Sequence, residues 1–490
     1  MDFFLSKKSI CFIALLISFS ILGTSKYLTR KLINDSLKSQ KTFSLENSNE
    51  TTECRNRTID EFPDDFMTMQ QRKNGGIIVH ILITVYIFCA IAIVCDEYFV
   101  QSLNRISKDL DLRDDVAGAT FMAAGSSSPE LFTSVIGVLI AKSDVGVGTI
   151  VGSAVFNVLF IIAVCALTAK TVLTIDWYPL TRDCMFYIVS IGALILVIRD
   201  GYVHWYEALV LLVLYIFYIL LMYFNERIQF LIRSKFNMFG VYGLEDENIR
   251  LIDPDNLGAS PIKRPRSVAS FDDDNDDDNS DPIDIFQLPS SLIGKLVYLT
   301  LFPINLTFFL TIPDCRRQTF RKFPLYFITF IVSIIYLSVL TYVLVWMVVI
   351  ICFTLDIPDT VAGLTILACG TSVPEVVSGI LVTRKGKGEM AISNSIGSNV
   401  FDILICLGLP WFISTLSNLD KPVKIFSGGL VYTAVILLTT VVVLIIGFIL
   451  NKWKLSKKFG VIMLVCWAVA TTISCLFELD VFGKFSIPLC

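Results

Sequence analysis

The stretch that decides the fold is 116–130, VAGATFMAAGSSSPE, because the chain writes it twice. Residues 361–375 read VAGLTILACGTSVPE, with nine of fifteen positions identical. The likeness continues without a gap. Gly152-Ser153-Ala154-Val155-Phe156-Asn157 aligns with Gly397-Ser398-Asn399-Val400-Phe401-Asp402, and both Glu130 to Glu375 and Asn157 to Asp402 are 245 residues apart. Each copy sets a glutamate behind a Gly-(Ser/Thr)-Ser-x-Pro run inside an apolar segment. A carboxylate in hydrocarbon costs about 3 kcal/mol or more unless it is partnered, so it marks a functional site by default. Gly and Pro beside it interrupt a helix, and interrupted backbone at membrane depth is tolerated only where it lines a cavity. A duplicated, acidic, broken helix reads as a cation site at the interface of two repeats.

The composition places these copies in a bilayer. Of 490 residues 54% are apolar, the mean hydropathy is +0.69, and several apolar runs exceed eighteen residues, enough to span hydrocarbon. The chain is an all-α polytopic membrane protein, and the lipid bilayer is its first partner. The net charge of −4 carries little meaning because the charges gather in loops. The thirteen Cys are scattered, many within apolar runs, without metal-ligand spacing. Cys54 and Cys490 lie in aqueous segments on one expected side and are candidates to pair. No Gly-x4-Gly-Lys-Ser/Thr loop is present, which argues against an ATP-driven pump, and no Ser-His-Asp or HExxH arrangement supports a protease. Nothing in the pattern calls for a nucleic-acid partner, an enzymatic activity or a resident cofactor. His80 and His204 read as isolated.

Loop charge sets the order of the chain. Residues 1–25 have Lys7-Lys8 before an apolar run and form a signal sequence or an uncleaved anchor. The arm 26–74 is polar and holds sequons at Asn34, Asn49 and Asn56, which puts it outside or in a lumen. Spans are expected at about 76–99, 115–140, 146–168, 184–199 and 204–223, making a first five-helix repeat over 75–224. Arg105, Lys108 and Arg113, then Arg227, Arg233 and Lys235, mark the cytoplasm. Residues 225–291 run through an Asp-rich stretch from Asp272 to Asp284 and read as a disordered cytoplasmic loop. The segment 292–312 is apolar enough to cross. A crossing would place Arg316, Arg317, Arg321 and Lys322 outside, so 292–323 reads as re-entrant or interfacial. A second repeat over 324–490 has spans at about 325–353, 358–383, 389–413, 425–449 and 459–478. Lys385 and Lys387, then Lys452, Lys454, Lys457 and Lys458, mark its cytoplasmic loops. On this count the ten core helices form two inverted five-helix repeats, the layout of secondary transporters with a midplane site.

Calcium takes six to eight oxygen ligands, and the two copies hold the matching chemistry. The first supplies Glu130 with Ser126 and Ser127; the second supplies Glu375 with Thr371 and Ser372. The neighbouring helices add Ser153 and Asn157, and Ser398 and Asp402. Backbone carbonyls at the breaks, with Ala123 and Ala368 as candidates, complete the set. Because Asn157 faces Asp402 across the duplication, the site carries one carboxylate more than a symmetric pair, and a further cation is a natural use for it. Proton exchange at the same carboxylates is the rival reading. A cation channel is the other, and broken inverted repeats argue against it.

On these residues the chain resembles the potassium-dependent sodium/calcium exchangers of the cation/calcium exchanger superfamily. The likeness is carried by CDEYF at 95–99, DVAGATFMAAGSSSPELFTSVIGV at 115–138, GTIVGSAVFNVLF at 148–160, TIPDCR at 311–316, and LTILACGTSVPE through RKGKGEMAISNSIGSNVFDIL at 364–404. The resemblance implies a sodium-driven calcium antiporter that co-transports potassium, turns over electrogenically by alternating access, and suggests a homodimer. It implies that Glu130 and Glu375 bind calcium and sodium and that Asp402 confers potassium dependence; a sodium/calcium or proton/calcium exchanger without potassium is the alternative, and Asp402 argues against it. Two positions depart from the family pattern: Glu375 stands where Asp is frequent, and Cys369 replaces a common Ala. A plasma-membrane location is expected, with a secretory-pathway membrane such as the trans-Golgi as the alternative.

Overall fold

A computed structural model describes residues 58–109, 123–169, 171–224, 292–316, 325–384, 386, 388–417 and 422–483. The signal or anchor, the three sequons, Cys54, Cys490 and the acidic loop fall outside these residues, as do the first seven positions of the first copy.

Long apolar runs become helices because no other element satisfies its own backbone in hydrocarbon. In order they are α1 (Ile77–Val94), α2 (Ser128–Leu139), α3 (Val145–Val155), α4 (Trp177–Ile198), α5 (Trp205–Tyr223), α6 (Leu292–Thr311), α7 (Leu325–Leu355), α8 (Val373–Arg384), α9 (Gly388–Phe401), α10 (Gly429–Leu450) and α11 (Lys457–Glu478). α3 continues through a π-turn at Phe156–Ile161 into Ile162–Thr168, and α9 through a π-turn at Asp402–Leu407 into Gly408–Ser417. A further π-turn, Cys95–Phe99, carries α1 into Val100–Asp109. Among the described residues eight helices are long and apolar enough to cross a bilayer. The bent pair Asp359–Thr371 and Val373–Arg384, meeting at 42°, makes a ninth if it counts as one span.

Four two-residue strands fix how the halves meet. β1 (Leu173–Thr174) pairs antiparallel with β4 (Lys454–Leu455), and β2 (Tyr202–Val203) pairs antiparallel with β3 (Val423–Lys424). β1 lies just before α4 and β4 just after α10; β2 lies just after α4 and β3 just before α10. Each end of α4 is thus pinned to the opposite end of α10, and the two helices run antiparallel.

The apolar interior separates into two clusters. One joins α3, α4, α5, α9, α10 and α11 around Phe156, Tyr187, Trp411 and Phe448. The other centres on α1, α6 and α7 around Phe88, Tyr98, Phe308 and Leu344, and also takes in Ile136 of α2, Val145 of α3 and Cys475 of α11. α1 and α7 are antiparallel: Phe99, past the end of α1, stacks on Phe330 near the start of α7 at 5.4 Å. Between the halves the backbones touch. A Cβ on Gly152 would lie 2.6 Å from the Leu364 carbonyl oxygen, and one on Gly363 would lie 2.7 Å from that of Val145. Glycine at both positions permits that approach.

Three sequence readings change. The fourth span begins at Trp177, not 184, because Arg182 and Asp183 enter the helix as a pair at 2.7 Å, with Ser393 Oγ donating to Asp183 at 2.7 Å. Of the two alternatives for 292–312, a re-entrant turn is absent and the interfacial one remains: Leu292–Thr311 is one uninterrupted helix with Leu299 and Leu310 more than two-thirds exposed. His80 is not isolated: its Nε2 lies 3.0 Å from Asp65, which also pairs with Arg72 at 3.1 Å.

Candidate cation site

Both copies break at the same residue. Ser127 has φ −95° and ψ 16°, and Ser372, its equivalent, has φ −80° and ψ 4°. The cause is the proline two positions on. Pro129 and Pro374 have no N–H to give the carbonyl four residues back, so a new helix starts there, with proline in its first turn. The carbonyls relieved of that bond are those of Gly125 and Gly370. Gly125 O takes the Cys95 thiol at 3.2 Å and the Ser128 hydroxyl at 3.1 Å instead. The candidate carbonyls of Ala123 and Ala368 accept the backbone N–H of Ser127 and Ser372, at 3.0 and 3.3 Å. Each also accepts a hydroxyl, from Ser126 Oγ at 3.2 Å and from Thr371 Oγ1 at 3.4 Å. Glu130 and Glu375 fall in the first turn of α2 and α8, where the helix dipole favours negative charge.

The glutamates are held from opposite halves. Ser127 Oγ donates to Glu375 Oε1 at 3.5 Å, and Ser372 Oγ donates to Glu130 Oε1 at 3.3 Å. Both contacts are long for O–H···O bonds. Thr371 also lies against Glu130, and Ser398 and Asn157 lie against Glu375. Asp402, which opens the π-turn after α9, has Ser127 beside it and the Cys406 thiol 3.8 Å from Oδ1. π-turns inside α-helices recur at functional sites, and α3 carries the equivalent one, Phe156–Ile161, which includes Asn157.

The structure therefore gathers Glu130, Glu375, Asp402, Asn157, Ser127, Thr371, Ser372 and Ser398. It does not show Ser126 or Ser153 at the carboxylates: their hydroxyls donate to the Ala123 and Ile150 carbonyls, at 3.2 and 3.0 Å. Asn399 is a member the sequence reading missed. Its Oδ1 accepts from Asn157 Nδ2 at 3.0 Å, and Ser395 Oγ donates to the Asn157 carbonyl at 2.9 Å. Asn399 stands opposite Ala154 in the duplication, so the mismatch was visible, but a polar residue without a polar counterpart was passed over.

The three carboxylates are 0%, 2% and 0% exposed for Glu130, Glu375 and Asp402. Glu130 Oε2, Glu375 Oε2, Asp402 Oδ2 and Asn157 Oδ1 are buried without a hydrogen-bond partner. Among the described residues no Arg, Lys or His pairs with any of the three. Nor do three Asp, Glu, His or Cys side chains there close into a metal-ligand group of their own. Hydroxyl, amide and carbonyl oxygens must therefore share in any coordination. Four unsatisfied oxygens in a site with no side-chain cation are what a hard cation would complete.

Outside the site, Asp96-Glu97 is anchored. Arg316 donates to the Glu97 carboxylate and to its backbone carbonyl, each at 3.2 Å, and to Asp314 at 3.0 Å. The CDEYF and TIPDCR stretches thereby meet at the end of α1.

The chain matches the sodium/calcium exchanger protein family over residues 80–224 and 325–476. It is 42% identical to human sodium/potassium/calcium exchanger 5 over 459 residues, covering 90% of this chain and 91% of that protein. It is 35% identical to human sodium/potassium/calcium exchanger 4 over 570 aligned positions, covering 94% and 91%. Among solved structures it is similar to the sodium-calcium exchanger NCX_Mj, at 19% identity with a TM-score of 0.44, over 80% of this chain and 98% of that one; at that distance the likeness adds nothing to the assignment. Two matched blocks, one around each copy of the broken acidic helix, make this chain a member of the sodium/calcium exchanger family.

Proposed function

We propose that the chain is a sodium-driven calcium antiporter that carries potassium with calcium, binding its ions between the two helix breaks. The observation that carries this reading is the set of three buried carboxylates, each with one oxygen unpaired and none with a cationic side chain among the described residues. Calcium and potassium together bring three positive charges to three carboxylates. A filled site is then neutral and can reorient, whereas an empty one leaves uncompensated charge in a low dielectric and crosses poorly. The relatives' names, sodium/potassium/calcium exchangers, fit the same ion set. Electrogenic turnover requires the returning sodium ions to carry more than three charges.

Ten core helices in two inverted repeats suit the fold. The antiparallel pinning of α4 to α10 is what an inverted pair predicts, since the two helices hold equivalent places in their halves. α6 adds a peripheral helix outside the ten. The resemblance to the exchanger superfamily implies alternating access in which α1 and α7 move against the remaining helices. Either ion would be held by Glu130 and Glu375 with Ser127, Thr371, Ser372, Ser398, Asn157 and Asn399, and Asp402 would draw the potassium. We assign the plasma membrane and a homodimer; surface biotinylation and size exclusion in detergent test the two.

The decisive experiment is calcium uptake by sodium-loaded cells on transfer to sodium-free medium, with and without external potassium. The native protein is expected to need potassium, and Asp402→Asn to transport without that need. Uptake that ignores potassium in the native protein would leave a plain sodium/calcium exchanger. Uptake that ignores sodium loading would favour proton coupling.

A further inference from the structure

The cation site has a wall that its duplicated motifs do not supply. α4 packs against α9 and against the π-turn that opens at Asp402, and it presents Tyr187 there. Tyr187 is completely buried. Among the described residues its Oη has no hydrogen-bond partner, and neither has Asp402 Oδ2. The Asp402 carboxylate and the Cys184 thiol are the ionisable groups that act on the phenol. A buried hydroxyl without a partner is costly, and Phe would fill the same volume without that cost. Asp402 has the complementary deficit, since its described donors are the Ser127 hydroxyl and a thiol 3.8 Å away, and thiols are weak donors.

We propose that Tyr187 Oη is a ligand of the monovalent cation held at Asp402, supplied by the fourth span from outside both repeat motifs. The inference rests on the assignment of potassium to Asp402 made above. A phenol oxygen is neutral. Neutral oxygens are how protein sites replace the hydration shell of potassium, whereas extra carboxylates would raise the field and favour smaller or divalent ions. Tyr187 thus adds coordination beside Asp402 without adding charge, and the total of three carboxylates stays matched to calcium plus potassium.

The test uses the full chain in sodium-loaded cells, with surface level measured in parallel. In Tyr187→Phe the half-saturating potassium concentration should rise about fivefold, the scale of one lost neutral contact. Half-saturating calcium should stay within about twofold. In Asp402→Asn, which is expected to transport without potassium, the same tyrosine substitution should leave half-saturating calcium unchanged and bring back no potassium dependence. A second readout is the melting temperature of the purified protein in potassium chloride against choline chloride: the potassium-induced rise should shrink in Tyr187→Phe. Unchanged potassium dependence in Tyr187→Phe, an equal rise for both ions, or loss of the folded protein on removing this one hydroxyl would each overturn the proposal. The two readings fail separately. If Asp402→Asn keeps the potassium requirement, the assignment of Asp402 falls; if it loses the requirement while Tyr187→Phe behaves as the native protein, only the tyrosine's role falls.

Discussion

The two copies of the acidic motif are alike where they break and unlike in what stands behind the break. Ser127 and Ser372 leave helical geometry at equivalent positions, and each sends its hydroxyl to the other half's glutamate. Behind the second break, Asn399 and Asp402 stand where the first half has Ala154 and Asn157. The common part builds a paired site. The difference makes it one-sided: the extra carboxylate and the extra amide both come from the second half, and Asn399 reaches back to Asn157. On the function proposed above, symmetry supplies the divalent site and its violation supplies room for a further ion.

The largest test of the common part is charge removal. Glu130→Gln and Glu375→Gln should each lower sodium-dependent calcium uptake by about 100-fold or more, because each discards an interaction on the order of 3 kcal/mol. Losses of very different size would show that the halves share shape but not duty. The next test concerns the difference itself. Asn157→Asp would equalise the copies at four carboxylates, one more than calcium and potassium can neutralise. Transport should fall about tenfold or more. Combining it with Asp402→Asn restores three, and should recover a large part of the activity. No recovery would mean that the position of the third carboxylate matters, not the charge count. A smaller effect is expected from Asn399→Ala, which gives the second half the residue of the first. Asn157 then loses one amide partner, about 1 kcal/mol, and half-saturating calcium should rise roughly fivefold.

Much of this was legible in the sequence because duplication and hydropathy are written in residue type. The repeated glutamates, the Asn157/Asp402 mismatch and most spans needed nothing else. What was not legible depended on partners far apart in the chain. Arg182 and Asp183 look like loop residues until Ser393 is placed beside them, so α4 was begun too late. His80 looked isolated because Asp65 reaches it only when the segment before α1 folds back. The freed backbone at the breaks was legible from Gly and Pro, but the carbonyl that Pro129 releases is that of Gly125, not the Ala123 carbonyl named from the sequence. Tyr187 had no motif to announce it; only its buried hydroxyl, orphaned among the described residues, does. Helix α6 shows the limit of loop charge, which can weigh a crossing but cannot say whether a segment turns.

The carboxylate that lies outside this comparison is Glu97, and it should matter least. Its side chain is about a third exposed and already paired with Arg316 at 3.2 Å, so solvent screens the bond and its worth is about 0.2–1 kcal/mol. Burial works against the Arg316 charge, but the Asp314 and Glu97 carboxylates outweigh it and hold the guanidinium above its ordinary pKa. A group raised in this way loses its contribution only as pH climbs through that raised value, so the guanidinium's side of the clamp is constant over the physiological range. Arg316→Ala should therefore lower the melting temperature of the purified protein by only about 2 °C, with no change in that decrement between pH 6 and 8. Calcium uptake should stay within about threefold of native. A loss on the scale of Glu130→Gln would show instead that the clamp at the end of α1 is coupled to the break at Gly125, through the Cys95 thiol that joins them at 3.2 Å. The division between a buried ion site and a peripheral brace would then have to be redrawn around α1.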